Sequence, residues 1–66
     1  MTIEATWDDR MRRFRYRIPG VAGFVTSHRV STSILSSTPT LVREVTEIAF
    51  ATGVKLPDRW ELSVRR

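Results

Sequence analysis

The stretch TIEATWDDRMRRFRYRI, residues 2–18, contains two runs in which apolar and polar residues alternate. The apolar residues share one side of each run: Ile3, Ala5 and Trp7 in the first, and Phe14, Tyr16 and Ile18 in the second. Because the side chains of a strand alternate between its two faces, each run predicts a half-buried β-strand. The intervening DDR is typical of a turn, since aspartate tolerates tight turns. The stretch therefore predicts an N-terminal β-hairpin.

The register of this hairpin follows from the rule that facing residues must share a face of the sheet. Pairing Ala5 with Phe14 also pairs Glu4 with Arg15, so that apolar meets apolar and acid meets base. Asp-Arg is not a favoured two-residue hairpin loop, so we expect a loop of about four residues with the same register.

A helix is predicted for residues 39–52. Thr38 is a good N-cap, and Pro39 fits the first helical position, where its missing N–H costs nothing. Gly53 is the expected C-terminal stop. The residues that recur at helical spacing form one apolar stripe, with Val42 at its edge: Leu41, Val45, Ile48, Ala49 and Thr52. The helix should therefore bury this stripe against the sheet.

Residues 21–37 allow two interpretations. As a strand, the segment places Phe24, Thr26, His28 and Val30 on one face. As a helix, it would align Val21, Phe24, Val25, His28 and Leu35 in a stripe. The β-branched and hydroxyl residues favour the strand, because Ser and Thr compete with helical hydrogen bonds. We therefore predict a third strand here, followed by a Ser/Thr-rich loop.

The segment DRWELSVRR, residues 58–66, alternates again and predicts a last strand with Trp60, Leu62 and Val64 facing inward. The fold class is then α+β: a small two-layer domain spanning residues 1–66, with an antiparallel sheet covered by one amphipathic helix. This order of elements resembles the topology of the β-grasp (ubiquitin-like) fold. The terminal Arg65 and Arg66 differ from the Gly-Gly tail of conjugated ubiquitin-like proteins.

The composition limits the classes of function. The 66 residues include no cysteine and one histidine, which excludes disulfides and thiolate metal sites, so we expect no metal and no cofactor. No apolar run is long enough for a membrane span, and the first residues lack the pattern of a signal peptide. We therefore expect a cytoplasmic protein with no membrane partner. A domain this small buries only about 60% of its unfolded surface, which favours self-association or docking.

Catalysis is not expected. Ser27 and His28 are neighbours, and on a strand they would point to opposite faces and could not form a dyad. Asp8 and Asp9 fit a turn. Glu44 and Glu47 lie on the flank of the helix that we expect to be solvated. With no convergent catalytic set and little room for a ligand pocket, we predict neither an enzyme nor a small-molecule substrate.

Alternation places Arg13, Arg15 and Arg17 in a row on one face of the second strand, about 7 Å apart. We call these three residues the arginine row. Phosphates along a nucleic-acid strand have a comparable spacing, and arginine binds phosphate bidentately. The net charge of +4 and the ten arginines agree with an anionic partner. A solvated or protein-facing row is the other interpretation, because Glu4 would partly neutralise it across the hairpin.

Phe50 projects opposite the apolar stripe of the helix, between Arg43 and Glu47. Aromatic residues and arginines are enriched at interface hot spots. The leading hypothesis is therefore a small non-enzymatic interaction module that self-associates or docks on a larger protein assembly. Its contact surfaces would be the arginine row and the helix side that carries Phe50 and Arg43. The alternative is a small basic nucleic-acid-binding protein that contacts phosphates through the arginine row.

Overall fold

The structure, a computed structural model, describes residues 1–28 and 32–66. The strands form a four-stranded sheet in the order β3-β2-β1-β4. One helix lies between β3 and β4 in the chain and packs on one face of the sheet. The elements are β1 (Thr2–Asp8), β2 (Arg13–Arg17), β3 (Val25–Thr26), α1 (Thr38–Thr52) and β4 (Glu61–Arg65). The predicted α+β class is confirmed.

The sheet is mixed, whereas the sequence suggested an antiparallel one. β1 pairs with β2, and β2 with β3, in the antiparallel sense, but β4 runs parallel to β1. Because α1 and the loop after it carry the chain back to the start of β1, β4 begins beside that end. There the backbone N–H of Glu61 donates to the carbonyl of Met1 at 2.9 Å. Local alternation predicts a strand, but it carries no information about this direction.

The hairpin register differs from the expected one by two residues. Ala5 lies opposite Tyr16 and not Phe14, and Trp7 lies opposite Phe14. Because the shift is even, every side chain keeps its predicted face. The observed register brings the rings of Trp7 and Phe14 into an edge-to-face contact with centroids 5.2 Å apart. Aromatic pairs of this geometry stabilise beyond the area they bury.

Residues 9–12 form the turn of the hairpin, closed by the pairing of Asp8 with Arg13. The Asp8 carboxylate accepts from the backbone N–H groups of Arg10 at 3.0 Å and Met11 at 3.1 Å. The Met11 hydrogen bond is the main cause that lowers the pKa of Asp8, and the Arg10 and Arg15 contacts act in the same direction. Arg12 takes the left-handed conformation, with φ 56, that lets the chain enter β2.

α1 begins one residue earlier than predicted. Ser37, not Thr38, is the N-cap, and its hydroxyl accepts from the backbone N–H of Thr40. Gly53 ends the helix in the left-handed region, with φ 74, as the sequence predicts. At 15 residues α1 is short, and no helix in the described part of the chain is long and apolar enough to cross a membrane.

The core lies between α1 and the sheet. Its buried members are Ile3, Ala5, Phe14, Tyr16, Ile18, Leu41, Val45 and Ile48. Trp7 and Trp60, which the sequence assigned to inward faces, are half-buried and pack against the rim of this cluster. Thr52 is exposed, although the helical stripe included it. The other four residues of the predicted stripe are buried, and Val42 at its edge is half-buried.

The predicted third strand is much shorter than expected. Only Val25–Thr26 pairs with β2, and His28 is exposed. Val30, which the strand interpretation placed on the same face, lies outside the described residues. Residues 33–36 form a turn in which the N–H of Ser36 donates to the carbonyl of Ser33 at 2.9 Å. The helical interpretation of this segment is wrong at Val25 and Thr26.

Candidate interaction surfaces

The arginine row lies on the sheet face opposite α1, which we call the open face. β2 alternates, so that Phe14 and Tyr16 are buried beneath the helix while the three arginines point away from it. Arg17 is exposed, and Arg13 and Arg15 are half-buried. The structure therefore brings the three predicted residues together on one accessible surface.

Two residues of the arginine row also hold other parts of the chain. The Arg13 guanidinium donates to the backbone carbonyl of Ser27 at 2.8 Å, just beyond β3. The Arg15 guanidinium lies 3.4 Å from the carboxylate of Asp8. Arg13 thus fastens the short third strand to β2, and the charge of Arg15 is partly neutralised within the domain. Arg17 remains the most accessible residue of the row.

Phe24 is part of this surface, although it was not predicted from the sequence as a site residue. The residue is 49% exposed. The guanidinium carbon of Arg15 lies 4.0 Å from the ring centroid, and that of Arg17 lies 5.5 Å away. Both distances are within the range of cation–π attraction. Strand parity puts Phe24 on the same side as Thr26, but only the pairing of Thr26 with Arg15 shows that this is the side of the arginine row.

The rest of the open face is acidic in its centre and mixed at its edge. Strand parity and register assign Glu4 and Asp8 of β1 to this face, next to the arginine row. The same rule assigns Glu61 and Arg65 of β4 to it, beside Thr2 and Thr6 of β1. The open face therefore carries a basic strand, an acidic strand and a strand of mixed charge side by side, and it is not a uniformly basic surface.

The outer side of α1 forms the second candidate surface. Phe50 is 90% exposed at the centre of this side, opposite the buried stripe. Arg43 is exposed and Glu47 is half-buried on the same side of the helix. Phe50 therefore projects in the direction that the helical spacing predicts. Leu35, in the turn before α1, is a second nearly fully exposed apolar side chain, at 87%.

Glu44 is buried, although the sequence placed it on a solvated flank. Its exposed fraction is 0%, and the Tyr16 hydroxyl donates to its carboxylate at 2.6 Å. Burial, and then the adjacent Glu44 carboxylate, raise the pKa of Tyr16 above its ordinary value. The Tyr16 hydroxyl thus supplies a hydrogen-bond donor to the buried acid. The interpretation of Glu44 as a surface residue is wrong for this reason.

The other residues considered for catalysis lie apart. Ser27 is buried and the neighbouring His28 is exposed. Asp8 is engaged by the backbone of its own turn, and Asp9 lies 3.2 Å from the guanidinium of Arg12. In residues 1–28 and 32–66, no three His, Asp or Glu side chains converge as metal ligands do.

A surface cleft of about 710 Å³ lies where α1 approaches the start of β1 and the start of β4. Its walls include Val42 and Thr46 of the helix and Trp60 before β4. A smaller cleft, of about 290 Å³, borders Glu4, Arg17 and Ile18 at the other edge of β1.

Comparison with known proteins adds no relative to this picture. No protein-family model matches the chain, and neither the curated proteins nor the solved structures give a match. The function is therefore inferred from the two surfaces themselves.

Proposed function

We propose that this chain is a small, non-enzymatic protein-interaction module of the cytoplasm that self-associates or docks on a larger protein assembly. The observation that carries this proposal is Phe50, which is 90% exposed on the outer side of α1. The proposal extends to the fold: with β1 and β4 adjacent and parallel beneath one helix, the domain is a reduced β-grasp-like arrangement.

Energetic reasoning supports a partner at Phe50. Full burial of a phenylalanine side chain stabilises a protein or a complex by about 1.5–3 kcal/mol. In the described residues Phe50 gains almost none of this, because its side chain is nearly as exposed as in an unfolded chain. Arg43 lies on the same side and adds a second residue type that is enriched at hot spots. A protein surface with an apolar pocket and a carboxylate nearby would complement this pair.

The size of the domain points the same way. Eight side chains form the buried cluster, and both tryptophans lie at its rim. Small domains of this kind commonly gain further stability by association. A partner that covers one side of α1 would add apolar burial without any change in the fold.

Mass determination by light scattering over a range of concentrations tests the proposal. The expected result for the wild-type chain is a species larger than the monomer, which Phe50→Ser shifts toward the monomer. Leu35→Ser is the matched control, because Leu35 is also nearly fully exposed but lies off the helix. Equal masses for the wild-type chain and Phe50→Ser would remove the helix side from the proposal. A concentration-independent monomer would remove self-association and leave docking on another protein.

A second candidate function rests on a different observation, the contact of Arg15 and Arg17 with the half-exposed ring of Phe24. An exposed aromatic ring beside arginines is the combination that binds single-stranded nucleic acid, through base stacking and phosphate contacts. We propose this as the alternative role of the open face. The Asp8 carboxylate beside Arg15 reduces the charge available to such a ligand.

Fluorescence anisotropy with labelled single-stranded DNA and RNA tests this alternative. Binding should weaken as salt rises, with a slope of about 0.7 on logarithmic axes for each phosphate contact. Phe24→Leu and Arg17→Gln should each weaken it, whereas Arg59→Gln, an exposed arginine in the loop before β4, should not. An affinity equal in all three variants would show that the open face is not the binding surface.

A further inference from the structure

β4 forms one edge of the sheet. The strand order is β3-β2-β1-β4, and among the described residues β4 pairs with β1 alone. The opposite edge is different, because β3 has only two residues. A very short edge strand, or a proline within it, protects an edge from further pairing. β4, with five residues and no proline, has neither of these two protections.

The backbone groups on the outer edge of β4 can be identified. The N–H of Glu61 donates to the carbonyl of Met1, toward β1. Successive residues of a strand direct their N–H and C=O groups to opposite sides, so every second residue after Glu61 also faces β1. Leu62 and Val64 therefore direct their backbone groups to the outer edge. They are half-buried, and their side chains lie on the helix side of the sheet.

The sequence of β4, ELSVR, is complementary to itself when read in the opposite direction. In an antiparallel pair centred on Ser63, Glu61 of one copy lies opposite Arg65 of the other. Leu62 then lies opposite Val64, and both relations occur twice because the pair is symmetric. Cross-strand pairs of opposite charge, and of apolar residues on one face, stabilise a sheet.

The backbone permits this register and disfavours its neighbours. Leu62 and Val64 both direct their N–H and C=O groups outward, so they form the hydrogen-bonded positions of an antiparallel pair. A shift by one residue would place an outward-directed residue opposite one that faces β1, and would mix the two faces of the sheet. A shift by two residues separates Glu61 from Arg65 of the other copy.

We infer that β4 is a self-association edge, at which two copies of this chain pair antiparallel about Ser63 to form one continuous eight-stranded sheet. The inference rests on the proposed function, because it names a second copy of this chain as the partner. The two-fold axis passes between the two Ser63 residues, perpendicular to the sheet. Both helices then lie on the same face, and Leu62 and Val64 of the two copies form a continuous apolar strip beneath them.

The test is a charge-exchange series measured by sedimentation equilibrium or light scattering. Glu61→Arg alone and Arg65→Glu alone each place like charges opposite one another twice. Each should weaken dimerisation roughly 30-fold, because two attractive cross-strand pairs become repulsive. The double variant Glu61→Arg/Arg65→Glu restores the complementarity and should dimerise like the wild-type chain. An equimolar mixture of the two single variants should form a heterodimer.

Ser63→Cys provides a second, independent measurement. The chain contains no cysteine, so the variant carries a single thiol. In the inferred register the two copies of position 63 lie opposite each other at a non-hydrogen-bonded position, where Cα atoms are about 4.5 Å apart. This separation permits a disulfide, so mild oxidation should join two chains rapidly. Thr6→Cys is the matched control, since Thr6 is exposed on the same sheet face but belongs to an inner strand.

The outcomes separate this inference from the proposed function. Restoration by the double variant and by the mixture, with rapid cross-linking at position 63 only, supports pairing at β4. A dimer that persists unchanged in both single variants and does not cross-link at position 63 overturns it, while self-association through another surface stands. A wild-type chain that remains monomeric at all concentrations overturns pairing at β4 together with self-association. Docking on a different protein is then the remaining part of the proposed function.

Discussion

The buried Tyr16 hydroxyl should make the domain sensitive to alkaline pH. In the folded chain burial and the Glu44 carboxylate raise the pKa of Tyr16, whereas in the unfolded chain the phenol titrates near its ordinary value of 10.0. Above that value the unfolded state releases a proton that the folded state retains. The free energy of unfolding should therefore fall by about 1.4 kcal/mol for each pH unit above about pH 10. The contribution is fully present below that pH.

The measurement is denaturant unfolding at a series of pH values, followed by tryptophan fluorescence. Because Tyr16 is the single tyrosine of the chain, phenolate absorbance reports its ionisation without interference from another phenol. As the pH rises, the phenolate absorbance should appear together with unfolding and not before it. At about pH 11 the loss of stability should be about 1.4 kcal/mol relative to neutral pH.

Tyr16→Phe is the matched control, since it keeps the ring in the core and removes the hydroxyl. It should cost about 1.5–3 kcal/mol at neutral pH, the usual contribution of a hydrogen bond to a charged group. The tyrosine-dependent slope above about pH 10 should disappear in this variant. A phenolate signal near pH 10 in a chain whose tryptophan fluorescence is still native would refute the buried pair with Glu44.

Three further outcomes follow from local geometry. Gly53→Ala should cost about 1–2 kcal/mol in denaturant unfolding, because the residue has φ 74 and the strain lies in the backbone alone. Ser37→Ala should cost about 1 kcal/mol by the same measurement and Thr38→Ala clearly less, since Ser37 is the N-cap. Arg13→Met should release β3, seen as faster hydrogen exchange at the Ser27 amide, whose N–H donates to β2. Unchanged exchange there would contradict the fastening role of Arg13.

The sequence predicts the elements whose signals are local. Alternation in residues 2–18 predicts the hairpin, and helical spacing with Gly53 predicts α1 to within a residue at its start. The hairpin register came out two residues away, because charge matching and apolar matching favour two registers that keep the same faces. The edge-to-face contact of Trp7 with Phe14, which accompanies the observed register, depends on ring geometry that a pattern does not contain.

Features that depend on distant residues were not predictable in the same way. The direction of β4 depends on the path of the chain over the sheet. The burial of Glu44 depends on a hydroxyl that is 28 residues away in the sequence. The position of Phe24 beside the arginine row follows only from the pairing of Thr26 with Arg15. In each case the missing information is a tertiary contact and not a propensity.

The parallel pairing of β1 with β4 has a consequence for the chain as it is synthesised. Thr2 pairs with Glu61 and Thr6 with Arg65. The inner strand β1 is therefore synthesised long before β4, its partner on one side. Until β4 leaves the ribosome, Ile3 and Ala5 belong to a strand with one open edge. Contacts of such long sequence separation slow folding and leave unpaired strands vulnerable to misassembly. Between translation of β1 and translation of β4, the edge of β1 that will pair with β4 is therefore unpaired in the nascent chain. Binding of a chaperone to this edge would be most effective against misassembly in that interval.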